Sequence, residues 1–415
     1  MISIIIDGKI YTAEAGQHLL QFAAQHHITL PSLCYYEHIQ PPLGTCRICT
    51  IKINGKPMAG CQVHLEEGMN IEIQSEELND LRKAMVEMLF AEGNHYCPVC
   101  EKSGDCDLQG LGYQLGVRVL RFPHLFVDRV IDFRPKRMVI EHNRCIRCRR
   151  CVEEVYTTDG KKVFSFINRA NRTEVAIDYE EEQKLSEAEA IRAVHICPVG
   201  AILLKGKSPS RPIGERKYDV EGVMPDEMEP QIDTKGKKIT VATAALAGCF
   251  GCHMSLLDID EELMNLIELV EFNRSPLTDI KNFTKRCDIG IIEGGCANTE
   301  NVEVLKEFRE KCDVLIAIGE CAIWGGLPAM RNTLNLESCL DEAYLNSITS
   351  DKNSEVPGSE DIPKILDRVY GCNEVVHIDY YIPGCPPSAG HIWKIVKNIA
   401  FGNNYSILKS EFKYD

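Results

Sequence analysis

The chain opens with an apolar run, Ile2–Ile6, closed by Asp7-Gly8, a dipeptide that favours a tight hairpin turn. Leu19, Leu20, Ala23 and Ala24 then recur at helical spacing within 17–27. Asn54-Gly55 separates two strand-like segments, 50–53 and 57–59, and residues 70–74 alternate as a further strand. A helix is predicted over 76–92, where Leu78, Leu81, Met85, Met88 and Leu89 share a face and Gly93 supplies the stop. From 94 to 130 the glycines at 104, 110, 112 and 116 break any period, so this stretch reads as irregular. Another compact unit is expected over 131–204.

Residues 205–238 contain four prolines and dense charge without a sustained apolar period, as a linker does. Beyond them, strand-like runs at 239–246, 288–292, 313–318 and 375–379 alternate with helical stretches at 259–270, 300–311, 361–370 and 388–400. Apolar strands alternating with helices predict a parallel, doubly wound α/β sheet. The expected organisation is therefore multidomain: 1–75, 76–130 and 131–204 in an α+β first half, a linker at 205–238, and an α/β domain at 239–415.

Composition changes this picture through one residue type. The 415 residues include 20 cysteines. A formal charge of −15 argues against a general nucleic-acid binder. No apolar stretch approaches the ~18 residues of a membrane span. MISIIIDGKIY lacks the features of a signal peptide. A cytoplasmic location is expected, where disulfides are rare, and metal binding is then the leading use for so many thiols.

Most cysteines fall into four sets. The first, Cys34-x11-Cys46-x2-Cys49-x11-Cys61, has one short pair flanked by two single cysteines. Soft thiolates select zinc or iron–sulfur clusters. A zinc ribbon pairs two short knuckles, whereas the plant-type [2Fe–2S] pattern has a single x2 pair and a remote cysteine. The [2Fe–2S] reading is the stronger, although the first gap is long. The second set is His95-x-Cys97-x2-Cys100-x5-Cys106, three thiolates with an imidazole. A [4Fe–4S] cube needs a fourth ligand, and spacing alone leaves His95 and an unnamed residue equal. In the third set, Cys145-x2-Cys148-x2-Cys151 is completed by Cys197-Pro198, the signature of a [4Fe–4S] cluster. The basic run Arg134, Lys136, Arg137, Arg144, Arg147, Arg149 and Arg150 around it reads as compensation for cluster charge, with a solvated face as the alternative. The fourth set is Cys249, Cys252, Cys321 and Cys385, each just after an apolar run. Ligands of open α/β sheets bind beyond the carboxyl ends of the strands, so these four are expected to converge. Cys287, Cys296, Cys312, Cys339 and Cys372 read as buried, inert thiols.

At this point the motifs become specific. LGTCRIC, EGNHYCPVCEKSGDC, HNRCIRCRRC and HICPVGAI within 1–205 resemble the diaphorase iron–sulfur (gamma) subunit of soluble NAD-reducing [NiFe] hydrogenases, itself similar to part of respiratory complex I. LAGCFGCHMSLLDID, IGECAIWGG and IPGCPP within 239–415 resemble the small (delta) subunit of the same hydrogenases. The chain reads as a fusion of the two. The resemblance implies a β-grasp [2Fe–2S] ferredoxin-like domain, complex I-like iron–sulfur segments and a flavodoxin-like C-terminal sheet. It implies His95 as a ligand and a proximal [4Fe–4S] cluster at Cys249, Cys252, Cys321 and Cys385, hence one [2Fe–2S] and three [4Fe–4S] clusters in all. His95 stands one residue from Cys97 where complex I has three between, and the related complex I subunit has adjacent cysteines in place of Cys249-Phe-Gly-Cys252. Both departures point to hydrogenase.

No credible dinucleotide fingerprint is present, since the glycines at 110, 112 and 116 lack its spacing. The paired Cys-x-x-Cys motifs that hold nickel and iron in the family's large subunit are also missing. No catalytic residue is therefore assigned to this chain. FMN and the NiFe centre are expected on partners: a hydrogenase large subunit and a flavin- and NAD(P)-binding diaphorase subunit, with a small [2Fe–2S] subunit as an optional third. The expected role is reversible electron transfer between hydrogen and NAD(P)+. Glu293 is a candidate proton relay, with a buried structural carboxylate the stronger reading; His253 is a candidate cluster neighbour. The alternatives are an iron–sulfur connector in a complex I-like or formate-oxidising assembly, and a zinc-bearing scaffold.

Overall fold

The computed structural model describes residues 1–125, 129–212, 215–218, 238–258, 264, 268–351, 353–400 and 414. The chain divides into two units, Met1–His95 with Cys100–Asp219, and Tyr96–Val99 with Val220–Asp415.

The first unit begins with a five-stranded sheet. Strands β1 (Ile2–Ile6) and β2 (Lys9–Ala13) form the expected hairpin. Helix α1 (Leu19–Gln25) follows, then β3 (Thr50–Ile53), β4 (Lys56–Ala59) and β5 (Asn70–Glu72). The order is β2-β1-β5-β3-β4, with only β1 and β5 parallel. Ile4, Ile6, Ile51, Ile53 and Ile71 meet Leu19 and Phe22 of α1 in one core. Helix α2 (Glu76–Glu92) is capped by Ser75, which accepts from Leu78 N. Its Arg82, 1% exposed, donates to the carbonyls of Ile48, Thr50 and Ile73 at 3.2, 2.8 and 2.8 Å, tying α2 to the sheet.

Residues 94–130 are not wholly irregular. Helix α3 spans Asp107–Leu115 and stops at Gly116, whose φ of +62° is the left-handed C-cap that glycine permits. Three of the four glycines lie in or directly after this helix, which is why the sequence period failed there. Next come β6 (Met138–Ile140), α4 (Arg150–Glu154), the hairpin β7 (Phe164–Ile167) with β8 (Glu174–Ile177), α5 (Tyr179–Lys184), α6 (Glu187–Ile196) and β9 (Ile202–Leu204). Strands β6 and β9 pair antiparallel, bringing both ends of this segment together. Fully buried Glu182 accepts from the backbone N–H groups of Lys136, Arg137 and Met138 at 2.9, 2.7 and 3.3 Å. The start of the expected linker folds back on this unit. Ser208 donates to Glu101 O at 3.0 Å, and the N–H groups of Arg211 and Lys217 donate to Ser103 O and Gly104 O at 2.8 and 2.9 Å. Most of 219–238 lies outside the described residues.

The second unit is built on β10 (Ile239–Ala245), β11 (Val270–Phe272), β12 (Cys287–Glu293), β14 (Cys312–Ile318) and β16 (Tyr380–Ile382). These strands are all parallel, in the order β11-β10-β12-β14-β16. Between them lie α7 (Gly251–Leu257), the short strand β13 (Cys296–Asn298), α8 (Thr299–Lys311), α9 (Gly319–Trp324), α10 (Leu336–Leu340) and β15 (Ile365–Tyr370), with α11 (Ala389–Ala400) last. Val241, Ile289, Ile291, Ile316, Ile318 and Ile382 pack with Leu256 of α7 and Ile392 and Trp393 of α11. Two expectations are corrected. Residues 361–370 are not helical: Ile365–Tyr370 forms β15, an antiparallel partner of β13, and Ile365, Val369 and Tyr370 suit a strand. The last sheet strand is 380–382 rather than 375–379, because Cys372–Glu374 forms a 3₁₀ turn first. The helix expected at 259–270 falls mostly outside the described residues.

Candidate metal centres

The first site forms where the sheet's β3–β4 hairpin meets the preceding loop. Cys49 immediately precedes β3, and Cys61 follows β4. Cys34, Cys49 and Cys61 are buried. The thiols of Cys46, Cys34, Cys61 and Cys49 hydrogen-bond in that order. The Cys61 thiol beside it drops Cys49 to about 7, while hydrogen bonds from Cys46 and then Cys61 pull Cys34 far down. Backbone N–H groups of Leu33, Cys46 and Cys61 donate to the sulfurs of Cys46, Cys34 and Cys49 at 3.5, 3.5 and 3.4 Å. Such donors raise the potential of a thiolate-held cluster. His18 Nε2 lies 2.7 Å from Cys61 O and fixes that loop from α1.

The third site is the most clearly formed. Cys145, Cys148, Cys151 and Cys197 line one pocket, walled by Ile140, Val175, Val199 and Ile202. Arg147 and Arg149, between the cysteines, take φ of +53° and +72°, folding the loop around the pocket. Cys197 is the C-cap of α6, so the remote cysteine is delivered by a capped helix whose Ser186 and Glu189 form a capping box. Burial pushes Cys145 up to about 11. Cys151 is pushed well above 9.0 by burial and then by Cys148, Cys197 and Cys145, as four converging acids require.

In the second site, His95, Cys100 and Cys106 lie in the first unit; Cys97 is buried. Burial, then the nearby Arg144 cation, drives His95 down to about 3, leaving the imidazole in the neutral form that binds metal. Burial, then Cys100, pushes Cys106 up to about 12. Gly93 and Gly200 make room here: a Cβ on Gly93 would lie 2.5 Å from His95 Nε2, and one on Gly200 2.9 Å from Cys100 Sγ.

The fourth site lies beyond the carboxyl ends of the parallel strands. Cys249 and Cys252 follow β10, Cys321 sits in α9 after β14, and Cys385 follows β16. The sheet order reverses between β10 and β12, where crevices of such sheets open. Phe250, at φ +65°, turns the chain into α7. Glu320 accepts from Gly384 N at 3.2 Å and its N–H donates to Gly384 O at 3.0 Å, clamping the Cys321 and Cys385 loops together. Burial, then Cys385 and Cys249, pushes Cys321 up to about 12. Cys252 is driven up by burial, Glu293 and Cys321. A Cβ on Gly319 would meet Cys252 Sγ at 2.3 Å. Glu293 and His253 are both buried at this end. Glu293 accepts from His253 N at 2.9 Å, and His253 Nδ1 lies 3.2 Å from the other oxygen.

Among the described residues, no three His, Cys, Asp or Glu side chains are arranged to hold a single metal ion. The thiols are instead brought together by mutual contact, by a shared pocket or by neighbouring charge. Of the remaining cysteines, Cys287, Cys296, Cys312 and Cys372 are buried and Cys339 half-buried. Sequence reasoning missed the residues that make space or hold charge around the sites, namely Gly93, Gly200, Gly319, Glu320 and Arg144. Only the left-handed glycines carry a local signal in sequence.

Two units with converging thiols define a class: a multi-site iron–sulfur electron carrier. Four families match in series: the 2Fe-2S iron-sulfur cluster binding domain at 1–76, the NADH-ubiquinone oxidoreductase-G iron-sulfur binding region at 82–121, the ferredoxin-like domain of NADH-quinone oxidoreductase subunit 3 at 136–203, and the NADH ubiquinone oxidoreductase 20 Kd subunit at 249–399. The gamma subunit of the NAD-reducing hydrogenase HoxS of Cupriavidus necator is 45% identical over 223 residues, 54% of this chain and 95% of the relative. The delta subunit of the same hydrogenase is 50% identical over 180 residues, 43% of this chain and 86% of the relative. A chain from the crystal structure of an NAD+-reducing [NiFe]-hydrogenase in the H2-reduced state is 46% identical, with TM-score 0.42, over 43% of this chain and all of its own length. The chain belongs to the NAD-reducing hydrogenase family, carrying a gamma-like and a delta-like part in one polypeptide.

Proposed function

We infer that this chain is the electron-transfer subunit of a [NiFe] hydrogenase that couples hydrogen to NAD(P)+. The observation that supports this reading is the fourth site: four cysteines from three segments, after β10, β14 and β16, stand at the carboxyl ends of the sheet in the delta-like half. Clusters, when bound, supply single-electron carriage at potentials set by ligands, burial and hydrogen bonds. The proposed ligands are Cys34, Cys46, Cys49 and Cys61 for [2Fe–2S], and His95/Cys97/Cys100/Cys106, Cys145/Cys148/Cys151/Cys197 and Cys249/Cys252/Cys321/Cys385 for [4Fe–4S]. The neighbouring thiols, buried or half-buried except for the exposed Cys249, and the neutral imidazole fit these groups. The mixed sheet packed on α1 is consistent with a β-grasp fold, and the parallel order β11-β10-β12-β14-β16 with a flavodoxin-like one.

Two hydrogen bonds within the first unit support an order for the cysteine loops. The Thr45 hydroxyl, next to Cys46, donates to Cys148 O at 3.4 Å, and Asp107 N, next to Cys106, donates to Pro198 O at 2.8 Å. The third site then stands between the first and the second. FMN and the NiFe centre belong to partner chains, and a reducing cytoplasm suits the free thiols. Among the described residues no helix is long and apolar enough to cross a membrane.

The test is hydrogen-driven reduction of NAD+ or NADP+ by the complex captured anaerobically through a tag on this chain. Cys321→Ser should abolish it while NADH-to-dye activity persists. Undiminished hydrogen-driven turnover in that variant would refute the fourth-site ligands. The connector reading shares the NADH oxidoreductase families, but Cys249-x2-Cys252 and the two hydrogenase relatives weigh against it.

A further inference from the structure

The seven basic residues around the third site are not equivalent. Arg134 is 75% exposed and pairs with Asp132 at 2.8 Å, and Arg149 pairs with Glu153 at 2.6 Å. Arg147 pairs with Glu92. Such pairs on or near the surface are screened and need no further partner. Arg144 and Arg150 are each 7% exposed with a buried Nε–H that lacks an acceptor, one terminal nitrogen reaching Glu101 and Asp107 respectively, and the Arg137 Nε–H is likewise unmet. Of the three, Arg144 is the one whose stem lies beside the Cys100 sulfur. An unmet buried donor on a cation is costly, so an acceptor is expected at that position.

The surroundings identify it. A Cβ built on Gly200 would meet Cys100 Sγ at 2.9 Å, Lys102 Cβ at 3.1 Å and Arg144 Cδ at 3.4 Å, so the Arg144 stem and the Cys100 sulfur share one small space. His95 Nε2 and Asn143 O likewise crowd Gly93, at 2.5 and 2.7 Å from its would-be Cβ. Arg144 thus leaves the backbone beside Cys145 of the third site, while its side chain runs beside Cys100 of the second. A thiolate-held iron–sulfur cluster is anionic and rich in sulfur acceptors, and an adjacent buried cation favours its reduced form.

We propose that Arg144 is a positioning residue shared by the second and third sites, whose buried Nε–H and charge hold the second-site cluster and raise its reduction potential. The proposal rests on the cluster reading of that site. Glu101, half-exposed, is the counter-anion that tempers the effect.

The test uses the full complex, purified anaerobically through a tag on this chain, with iron content and an EPR-monitored redox titration as readouts. Arg144→Gln should keep its iron and shift the second-site signal to lower potential. Arg144→Lys should return most of the shift, and Glu101→Gln should move the signal the opposite way by less. Complex labelled with 15N-arginine should show a 15N coupling at the second-site signal in place of a 14N one, lost in Arg144→Gln. Full iron with an unmoved potential in Arg144→Gln overturns the proposal, as do shifts of the same sign in Arg144→Gln and Glu101→Gln. Should Arg144→Gln lose its iron, an unmoved potential in Glu101→Gln overturns it and an upward shift upholds it. Wild-type complex with full iron at the other sites but none at His95 would refute the cluster assignment and this inference with it.

Discussion

Gly319→Ala isolates the packing demand of the fourth site. Gly319 opens α9 at φ +79°, and an added Cβ would stand 2.3 Å from Cys252 Sγ. Carbon and sulfur cannot approach below ~3.5 Å without repulsion, so the two groups must part by more than an ångström. A left-handed alanine costs ~1–2 kcal/mol and overpacking a filled site ~1–3 kcal/mol. The sum is about 2–5 kcal/mol, falling on one ligand rather than on the sheet. Gly116→Ala is the control. Its φ is +62° but nothing lies within 4 Å of the added atom, so it pays the backbone cost alone. Iron, acid-labile sulfide and cluster EPR are measured on both tagged complexes. Gly319→Ala should lose the fourth-site signal and hydrogen-driven activity while the first unit keeps its signals; Gly116→Ala should keep all of them. A full fourth-site signal in Gly319→Ala would refute the argued closeness of Gly319 and the cluster ligand.

Three further outcomes are expected. Arg82→Met should lower the unfolding free energy of the first unit by ~3 kcal/mol, because it orphans three buried carbonyls; an unchanged denaturant midpoint would contradict this. Glu182→Ala should cost a similar ~3 kcal/mol by stripping the N–H groups of Lys136, Arg137 and Met138 of their shared acceptor, with loss of the third-site signal ahead of global unfolding. The iron-free chain should lose stability as pH rises. Cys145, Cys106 and Cys321 stand at about 11, 12 and 12 against 9.0 when unfolded, so the folded state holds their protons more tightly. That stabilisation is complete below pH 9 and is lost between about 9 and 12. Iron-loaded chain, whose ligands are already deprotonated, should show little of this loss; equal pH slopes for the two forms would count against these thiols as ligands.

The grouping of the cysteines was legible in the sequence because close spacing within a loop leaves a local trace. The x2 spacings of Cys145, Cys148 and Cys151 are set by one loop, and α6 delivers Cys197 as its C-cap. The fourth set has no such spacing. It was legible only because apolar strands have recognisable ends, and the β10, β14 and β16 loops lie at the same edge of a parallel sheet. The misreadings arose where two signals competed. In α3 the glycines at 110 and 112 hid a helix whose buried face is carried by Leu108 and Leu111; the Gly110 position is closely approached by Tyr218, which lies within the expected linker. At 361–370 the expected alternation of strand and helix suggested a helix, but β13 offers a strand partner that local sequence cannot reveal. Space and charge were the hardest to read. Gly200 matters because Cys100 is near in space, and Arg144 because its neighbours are buried.

The two units hold their thiols by different means, and the difference has a mechanical consequence. In the first unit, ligand loops are held by bonds between non-adjacent segments: His18 to Cys61, Thr45 to Cys148 and Asp107 to Pro198. The Thr45 and Asp107 bonds each join one site's loop to another's, so disturbance at one site is passed to its neighbour. In the second unit the candidate cysteines hang from strand ends already fixed by parallel pairing, such as Ile292↔Ala317 and Ile318↔Ile382. The Glu320–Gly384 clamp, the His253–Glu293 bond and the Ser255 hydroxyl's bond to Pro387 O are added there. Sheet pairing is cooperative and buried, whereas loop bonds open locally at lower cost. Loss of a ligand in the first unit should therefore loosen the adjacent site as well, while loss of Cys249 should leave the β10–β16 sheet intact.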